Sequence, residues 1–318
     1  TFKGNPMEKI NLRTVLGDIT TDQLGMILPH EHIFTDLRGP LAEDYAQANP
    51  KHVLAVMLPF LNDAQNAGIT ALVECSTIGV GRNIEILQAL AKNTPIHFLA
   101  PTGLYREDYI PGAYRDQSVQ ALAELFIHEL TQGIDKSRTK AGFIKIAMSD
   151  DGPRPIEIRN LRAAARASIE TGAAIASHTI GGHAALLEIK ILAEEGLDLG
   201  RFIWVHAGSE SDQSFHLKAA ELGAYVEFDS IGNPELDSQT VKDVINLLEE
   251  GYKDRILLSH DAGWYQPGRP GGQPEHGFRG FTALSKDFIP RLRNEGVDEE
   301  SIRAITEKNP VHAFGIPS

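Results

Sequence analysis

The chain of 318 residues contains one cysteine, Cys75. A lone thiol rules out an intrachain disulfide and makes a reducing, cytoplasmic setting the default. No apolar run approaches the roughly 18 residues of a membrane-crossing helix, so neither a transmembrane segment nor a membrane partner is expected. The polar opening, Thr1 to Asn11, lacks the apolar centre of a signal peptide. Positive charge is in the minority: 30 Lys and Arg stand against 43 Asp and Glu, a net charge of −13. That balance argues against nucleic acid and anionic membranes as partners. No Gly-x-Gly-x-x-Gly follows the first apolar segment, which counts against a dinucleotide-binding open sheet. No low-complexity linker divides the chain, and its length permits one large domain with a substantial core.

The most informative stretch is Leu28-Pro29-His30-Glu31-His32-Ile33-Phe34. In a strand, residues two apart face the same side. His30 and His32 can therefore present both imidazoles to one metal ion, and neutral imidazole is a common ligand. An isolated His-x-His is equally compatible with two buried, hydrogen-bonded histidines, so the rest of the chain has to decide.

Short apolar runs alternate with amphipathic ones throughout. Strands are predicted at Met26–Ile33, Thr70–Thr77, Ile96–Thr102, Ala141–Met148, Ala173–Thr179, Phe202–Ala207, Ala224–Asp229 and Ile256–Asp261. They read as continuous apolar segments, as parallel strands covered on both faces should. Helical patterns fill the intervals, and glycines 68, 172, 196, 223 and 251 sit where helices end. A final helix, Asp298–Glu307, is expected to stop at Asn309-Pro310. This is the element count of an α/β fold of the (β/α)₈ TIM-barrel type, one domain over residues 1–318 with a lead-in at 1–20. The long segment 262–280 after strand eight falls on the face where such barrels hold their sites.

Polar residues recur at the ends of these strands. His30 and His32 are on strand one, Lys145 on strand four, His178 on strand five, His206 on strand six and Asp261 on strand eight. Four histidines and an aspartate supply five ligands, too few for two open sites. A lysine ammonium has no lone pair to offer. Carboxylated by CO₂, Lys145 becomes a carbamate whose two oxygens can bridge ions about 3.5–4 Å apart, and a hydroxide held between the ions is nucleophilic at neutral pH. Zinc suits the donors best, with manganese, cobalt or iron as alternatives. Glu74, ending strand two, is a candidate acceptor for a ligand imidazole.

These residues resemble the ligand set of the phosphotriesterase family within the amidohydrolase superfamily. The resemblance spans nearly the whole chain. It includes Val15-Leu16-Gly17-Asp18-Ile19, Thr77-Ile78-Gly79-Val80-Gly81-Arg82-Asn83, Thr102-Gly103-Leu104-Tyr105, Ala165-Arg166-Ala167-Ser168 and Asn309-Pro310. It implies that His30, His32 and Asp261 hold the more buried ion, that His178 and His206 hold the more exposed one, and that N6-carboxylated Lys145 bridges them. Tyr105 is similar to the tyrosine of the phosphotriesterase-like lactonases. The chain departs from the family pattern at Val205-His206-Ala207-Gly208, at Ser230 after Asp229, and in the loop from Trp264 to Arg269.

The resemblance implies a lactonase or carboxylic-ester hydrolase with promiscuous phosphotriesterase activity. In it the bridging hydroxide attacks a carbonyl, Asp261 carries the proton and Tyr105 steadies the oxyanion. Trp264, Tyr265, Arg269 and Arg279 are candidates to meet the small-molecule ester or lactone substrate. A primary aryldialkylphosphatase and a catalytically inactive ligand-binding barrel are the alternatives, and a homodimer is left open.

Overall fold

The computed structural model describes residues 10–22, 24–274 and 277–317. The first nine positions of the expected lead-in lie outside these, as do Glu275 and His276 in the loop after strand eight. The predicted strands are present as β1 Met26–Phe34, β2 Ile69–Glu74, β3 His97–Leu99, β4 Phe143–Ala147, β5 Ile175–His178, β6 Phe202–Val205, β7 Tyr225–Phe228 and β8 Ile256–Leu258. Each pairs in parallel with the next in sequence, apart from one step at β3 and one at β8. After β3 the chain resumes at Pro101–Thr102 to pair with β4, and after β8 it resumes at Gly263–Tyr265 to pair with β1. Those two short continuations close an eight-stranded barrel in a single domain, a TIM barrel.

Outside it lie α1 Pro50–Asn66, α2 Ile84–Ala91, α3 Val119–Thr131, α4 Pro155–Thr171, α5 Gly182–Glu194, α6 Gln213–Glu221 and α7 Asp237–Glu249. The alternation of side chains along each strand divides the apolar residues into two layers. One lies between strands and helices and includes Leu72, Ile144, Ile175, Trp204 and Leu258. The other fills the barrel, with Val73, Leu99, Phe143, Ala176, Val205 and Leu257 meeting Leu12 and Phe314. Leu12 belongs to a hairpin, Ile10–Thr14 with Gly17–Thr20, whose first strand also pairs with Ile316–Pro317. With an apolar barrel interior below, the buried polar groups at the C-terminal strand ends have one open direction.

Strand two stops at Glu74 rather than Thr77, and two further boundary corrections have a clear backbone cause. Strand eight ends at Leu258 rather than Asp261, because Asp261 adopts a left-handed φ of 51° that cannot extend a strand. The last helix does not stop at Asn309-Pro310. A π turn at Ala304–Lys308 leads into a helix at Asn309–Phe314, with Pro310 in its first turn. The backbone is already helical at Lys308 and Asn309, so Pro310 removes one amide from a continuing helix, and the π turn just before it is where that interruption is accommodated. The same device recurs at Leu284–Phe288, where a π turn precedes Ile289–Asn294 and Pro290.

Glu188 of α5 is fully buried behind β5, where it accepts a hydrogen bond from Thr179 Oγ1. Its Oε2 has no hydrogen-bond partner among the described residues. Burial pushes this carboxyl up to about 7, so the folded state holds a proton that the unfolded chain has released. The contribution to stability is complete below about pH 4, the unfolded value, and is lost as pH rises through the folded one. Glu188→Gln, neutral at every pH, should match the parent in urea unfolding near pH 4.5. At pH 8 it should be more stable by roughly 3 kcal/mol, because each tenfold difference in proton affinity between the folded and unfolded states is worth about 1.36 kcal/mol. Equal stabilities at pH 8 would count against this assignment.

Candidate metal centre

The cavity at the C-terminal end of the barrel is lined by His30, His32, Tyr105, Lys145, His178, His206, Asp261 and Trp264, with Thr35, Leu37, Cys75 and Val80. All six predicted ligands are brought together. On β1 the alternation holds: the rings of His30 and His32 are 5.4 Å apart. His206 follows β6 and Asp261 follows β8, and both have left-handed backbones, with φ of 64° and 51°. Non-glycine residues seldom adopt that region, and in native proteins it concentrates where a site demands it.

Lys145 faces inward from the middle of β4, paired in register with Ala176. The neighbouring segment presses against it. Gly103 has φ +112°, and a Cβ there would lie 2.1 Å from the Lys145 carbonyl oxygen. Only glycine allows that approach.

The histidines are oriented by the nitrogen that faces away from the centre. His30 Nδ1 is 2.9 Å from Glu227 Oε1, His32 Nδ1 is 2.8 Å from Ser76 Oγ, and His206 Nδ1 is 2.8 Å from Asp229 Oδ1. Each then has Nε2 directed inward; those of His30 and His32 lie 3.5 and 3.2 Å from Asp261 Oδ1. His178 is turned the other way. Its Nε2 is held by Asp150 Oδ1 at 2.8 Å, and its Nδ1 lies 3.1 Å from the Tyr105 hydroxyl. Asp150 is also bound by Arg106 at 2.7 Å. An outer acceptor that sets the ring and its tautomer is the usual companion of a ligating histidine.

The electrostatics favour a cation. Burial alone would lower His30, yet Cys75, Asp261, Asp229 and Glu227 together raise it well above its ordinary value. His32 is raised likewise, by Asp261 and Glu74 acting against burial. Burial opposes ionisation of Asp261, but His30 and His32 hold it well below the usual carboxylate range. His178, with burial outweighing Asp150, falls to about 4 and is neutral at pH 7. Burial pushes the Tyr105 hydroxyl up, so it keeps its proton and can donate.

The donors fit metal binding. His30, His32 and Asp261 offer ligand atoms within 4.8 Å of one another, and the rings of His178 and His206, 4.4 Å apart, stand beside them; the further grouping of His30 and His206 with Asp229 joins their outward nitrogens to a supporting carboxylate. Lys145 is 1% exposed and its Nζ has no hydrogen-bond partner among the described residues. A buried, unpaired ammonium is costly. A carbamate on the same atom would be anionic and would face a cluster built to hold positive charge.

Sequence reasoning missed several supporting groups. Glu227 and Asp229 stand two residues apart at the end of β7, the same spacing that exposed His30 and His32, so that signal was available. Asp150 lies in a loop and had none. Glu74, expected as an acceptor for a ligand imidazole, has Oε1 3.7 Å from His32 Nδ1; it also accepts from the backbone of Ser76 at 2.7 Å and of Ile33, and Ser76 Oγ makes the shorter contact to His32 Nδ1 at 2.8 Å.

The loop residues divide. Trp264 lines the cavity, but Tyr265 is not among its walls. The Tyr265 ring stacks on Phe34 at 5.9 Å and its hydroxyl is 2.7 Å from His52 Nδ1, because pairing with β1 turns alternate residues away from the site. Arg279 donates to the carbonyls of His260, Ile231 and Asp261 at 3.1–3.3 Å, which makes it a support for the loop rather than a wall of the cavity. Arg269 is not among the lining residues either.

The family model that describes the phosphotriesterase family matches residues 10–314. A phosphotriesterase homology protein of Mycobacterium tuberculosis is 30% identical, over 95% of this chain and 97% of its own length. An aryldialkylphosphatase of Saccharolobus solfataricus is 29% identical, over 93% and 96%. Among solved structures, a mutant of a PTE-like lactonase from Deinococcus radiodurans superposes with a TM-score of 0.86 at 30% identity, covering 96% of this chain and all of that one. Fold, donor set and relatives agree, and the chain belongs to the phosphotriesterase family.

Proposed function

We propose that this protein is a binuclear metal-dependent ester hydrolase that prefers lactones. The observation that carries this is the convergence of four imidazoles and Asp261 around a buried Lys145 whose Nζ has no hydrogen-bond partner among the described residues, with a protonated Tyr105 hydroxyl beside them. His30, His32 and Asp261 would hold one ion and His178 and His206 the other, with carboxylated Lys145 between. Zinc is the first choice, with manganese, cobalt or iron as alternatives. Bound there, the ions would polarise a carbonyl and lower the pKa of a water.

The chain's own groups do the rest. Asp261, an ionised carboxylate, takes the proton of the attacking water and returns it to the departing alkoxide. Tyr105 donates to the substrate oxygen on which charge develops. Asp150 and Asp229 keep His178 and His206 from turning.

Cavity size favours a compact substrate. Its volume of about 130 Å³ is well below the roughly 300–1,000 Å³ of clefts for drug-sized ligands. A lactone ring fits more readily than a phosphorus centre with three bulky arms. The name of the Saccharolobus relative, aryldialkylphosphatase, supports phosphotriesters as further substrates. A barrel that only binds ligands would have no use for the complete donor set. All these residues come from one chain, so a homodimer is not needed to complete the site. A cytoplasmic location rests on the single cysteine.

Lys145→Ala should lose most activity and bind metal more weakly, with partial rescue by short carboxylic acids; normal turnover and metal content would sink the carbamate role. Asp261→Asn should keep the fold and some metal while kcat falls roughly 10²–10⁴-fold, the range for lost acid–base help; an unchanged kcat at full metal occupancy would refute the shuttle. On substrate panels, kcat/KM for the best lactone should exceed that for an aryl phosphotriester by at least ~100-fold, about 2.7 kcal/mol. Tyr105→Phe should reduce the lactonase activity more than the phosphotriesterase activity. A preference for the phosphotriester would reject the lactonase assignment and leave the metal hydrolase standing.

A further inference from the structure

Two buried polar atoms of cavity-lining residues have no hydrogen-bond partner among the described residues: Lys145 Nζ and the indole Nε1 of Trp264. Carboxylation accounts for the first. No group among the described residues accounts for the second. A buried donor left unpaired is destabilising, and native structures contain few of them without a reason.

The backbone around Trp264 is unusual as well. Its φ is 54°, and the preceding Gly263 has φ 88°. A bulky aromatic residue at positive φ is a genuine outlier. It is held there by its neighbours, since Gly263 pairs with His32 and Tyr265 with Phe34. The result is an indole set edge-on to the His32 ring, with centroids 5.8 Å apart and planes at 86°.

That placement gives the cavity two flanks. Trp264 and Asp261 both lie against His32, with Asp261 Oδ1 3.2 Å from His32 Nε2. Tyr105 lies against His178, its hydroxyl 3.1 Å from Nδ1. Each flank carries one neutral donor, Tyr105 O–H on one and Trp264 N–H on the other. The carboxylate that handles the proton is on the Trp264 flank.

We infer that the indole N–H of Trp264 hydrogen-bonds the alkoxy oxygen of the substrate as that oxygen departs. This rests on the ester-hydrolase reading of Asp261. Water gives its oxygen to the acyl carbon and the acyl–oxygen bond breaks. The alkoxy oxygen keeps the bonding pair and takes the proton that Asp261 holds, so acid and alcohol are the products. Trp264 keeps its own proton throughout. It contributes most when negative charge on the departing oxygen is greatest, that is, for poor leaving groups, and it makes Trp264 a residue that discriminates among alcohol portions.

Two measurements test this. The first compares the parent with Trp264→Phe, both metal-loaded, on esters of one acid whose alcohols run from 4-nitrophenol to simple alkyl. The variant should lose about tenfold in kcat/KM on alkyl esters, as expected for one lost hydrogen bond, and less than twofold on the 4-nitrophenyl ester. Its dependence on leaving-group basicity then becomes steeper. Equal losses across the series would overturn the inference. Inactivity of the parent on every ester is a different outcome, and would remove the hydrolase reading itself.

The second uses the metal-free parent and needs no variant to fold. The chain has two tryptophans, so it gives two indole N–H resonances. That of Trp204 is already committed to the Thr179 carbonyl at 3.0 Å and serves as reference. Titration with 4-nitrophenolate should move the Trp264 resonance downfield, and the isosteric 4-nitrotoluene should not. A Trp264 resonance that ignores the phenolate, or follows both probes equally, would overturn the assignment.

Discussion

The centre depends on a simple property of imidazole: it has two nitrogens, and fixing one decides what the other can do. Here the carboxylates and hydroxyls behind the ring do the fixing. Glu227, Asp229 and Ser76 hold Nδ1 of His30, His206 and His32, and Asp150 holds Nε2 of His178. Three of these acceptors are buried. Asp150 alone has a side chain about half exposed, tied to the surface by Arg106. Nearby acidic groups raise both β1 histidines against the effect of burial, with Cys75, Asp261, Asp229 and Glu227 acting on His30 and Asp261 and Glu74 on His32, an electrical environment suited to metal cations.

Closure of the barrel is tied to the same residues. Glu31, between the two histidines of β1, points away from them and is fully buried. Its Oε1 takes Ser259 Oγ at 2.8 Å, the His260 amide at 3.0 Å and His260 Nδ1 at 2.5 Å, while Oε2 takes the Ala262 amide at 2.9 Å. His260 Nε2 in turn accepts the Leu284 amide at 2.9 Å. One carboxylate thereby joins the first strand to the chain beyond the last. That connection presents Asp261 to His30 and His32, so a barrel left open here would also separate the metal ligands. Charged groups buried in this way are useful only when every hydrogen bond is made, and Glu31 meets that condition.

Strain is concentrated in the same region. Five non-glycine residues have a positive φ among the described residues, and three of them, His206, Asp261 and Trp264, line the cavity. Each would relax if its neighbours permitted. His206 is held by two bonds to Asp229, and Asp261 by its amide on the His30 carbonyl at 3.2 Å. The scaffold stabilises these conformations through packing and pairing elsewhere.

Period and composition were enough to establish the barrel, because eight apolar runs separated by amphipathic ones permit little else once strands must be covered on both faces. His30, His32, Lys145, His178, His206 and Asp261 were legible for a related reason: polar side chains that close apolar strands stand out, and the strand period aligns them. Glu227 and Asp229 carried that same signal unread. The loop after β8 was not legible. Trp264, Tyr265, Arg269 and Arg279 looked alike as a string, all large side chains over the site, and only the pairing of Gly263–Tyr265 with β1 separated them. That pairing sends Trp264 toward His32 and Tyr265 toward Phe34 and His52. Nor does sequence tell which histidine nitrogen faces inward, because the acceptors that decide it come from strands and loops distant in the chain and meet only when the barrel closes.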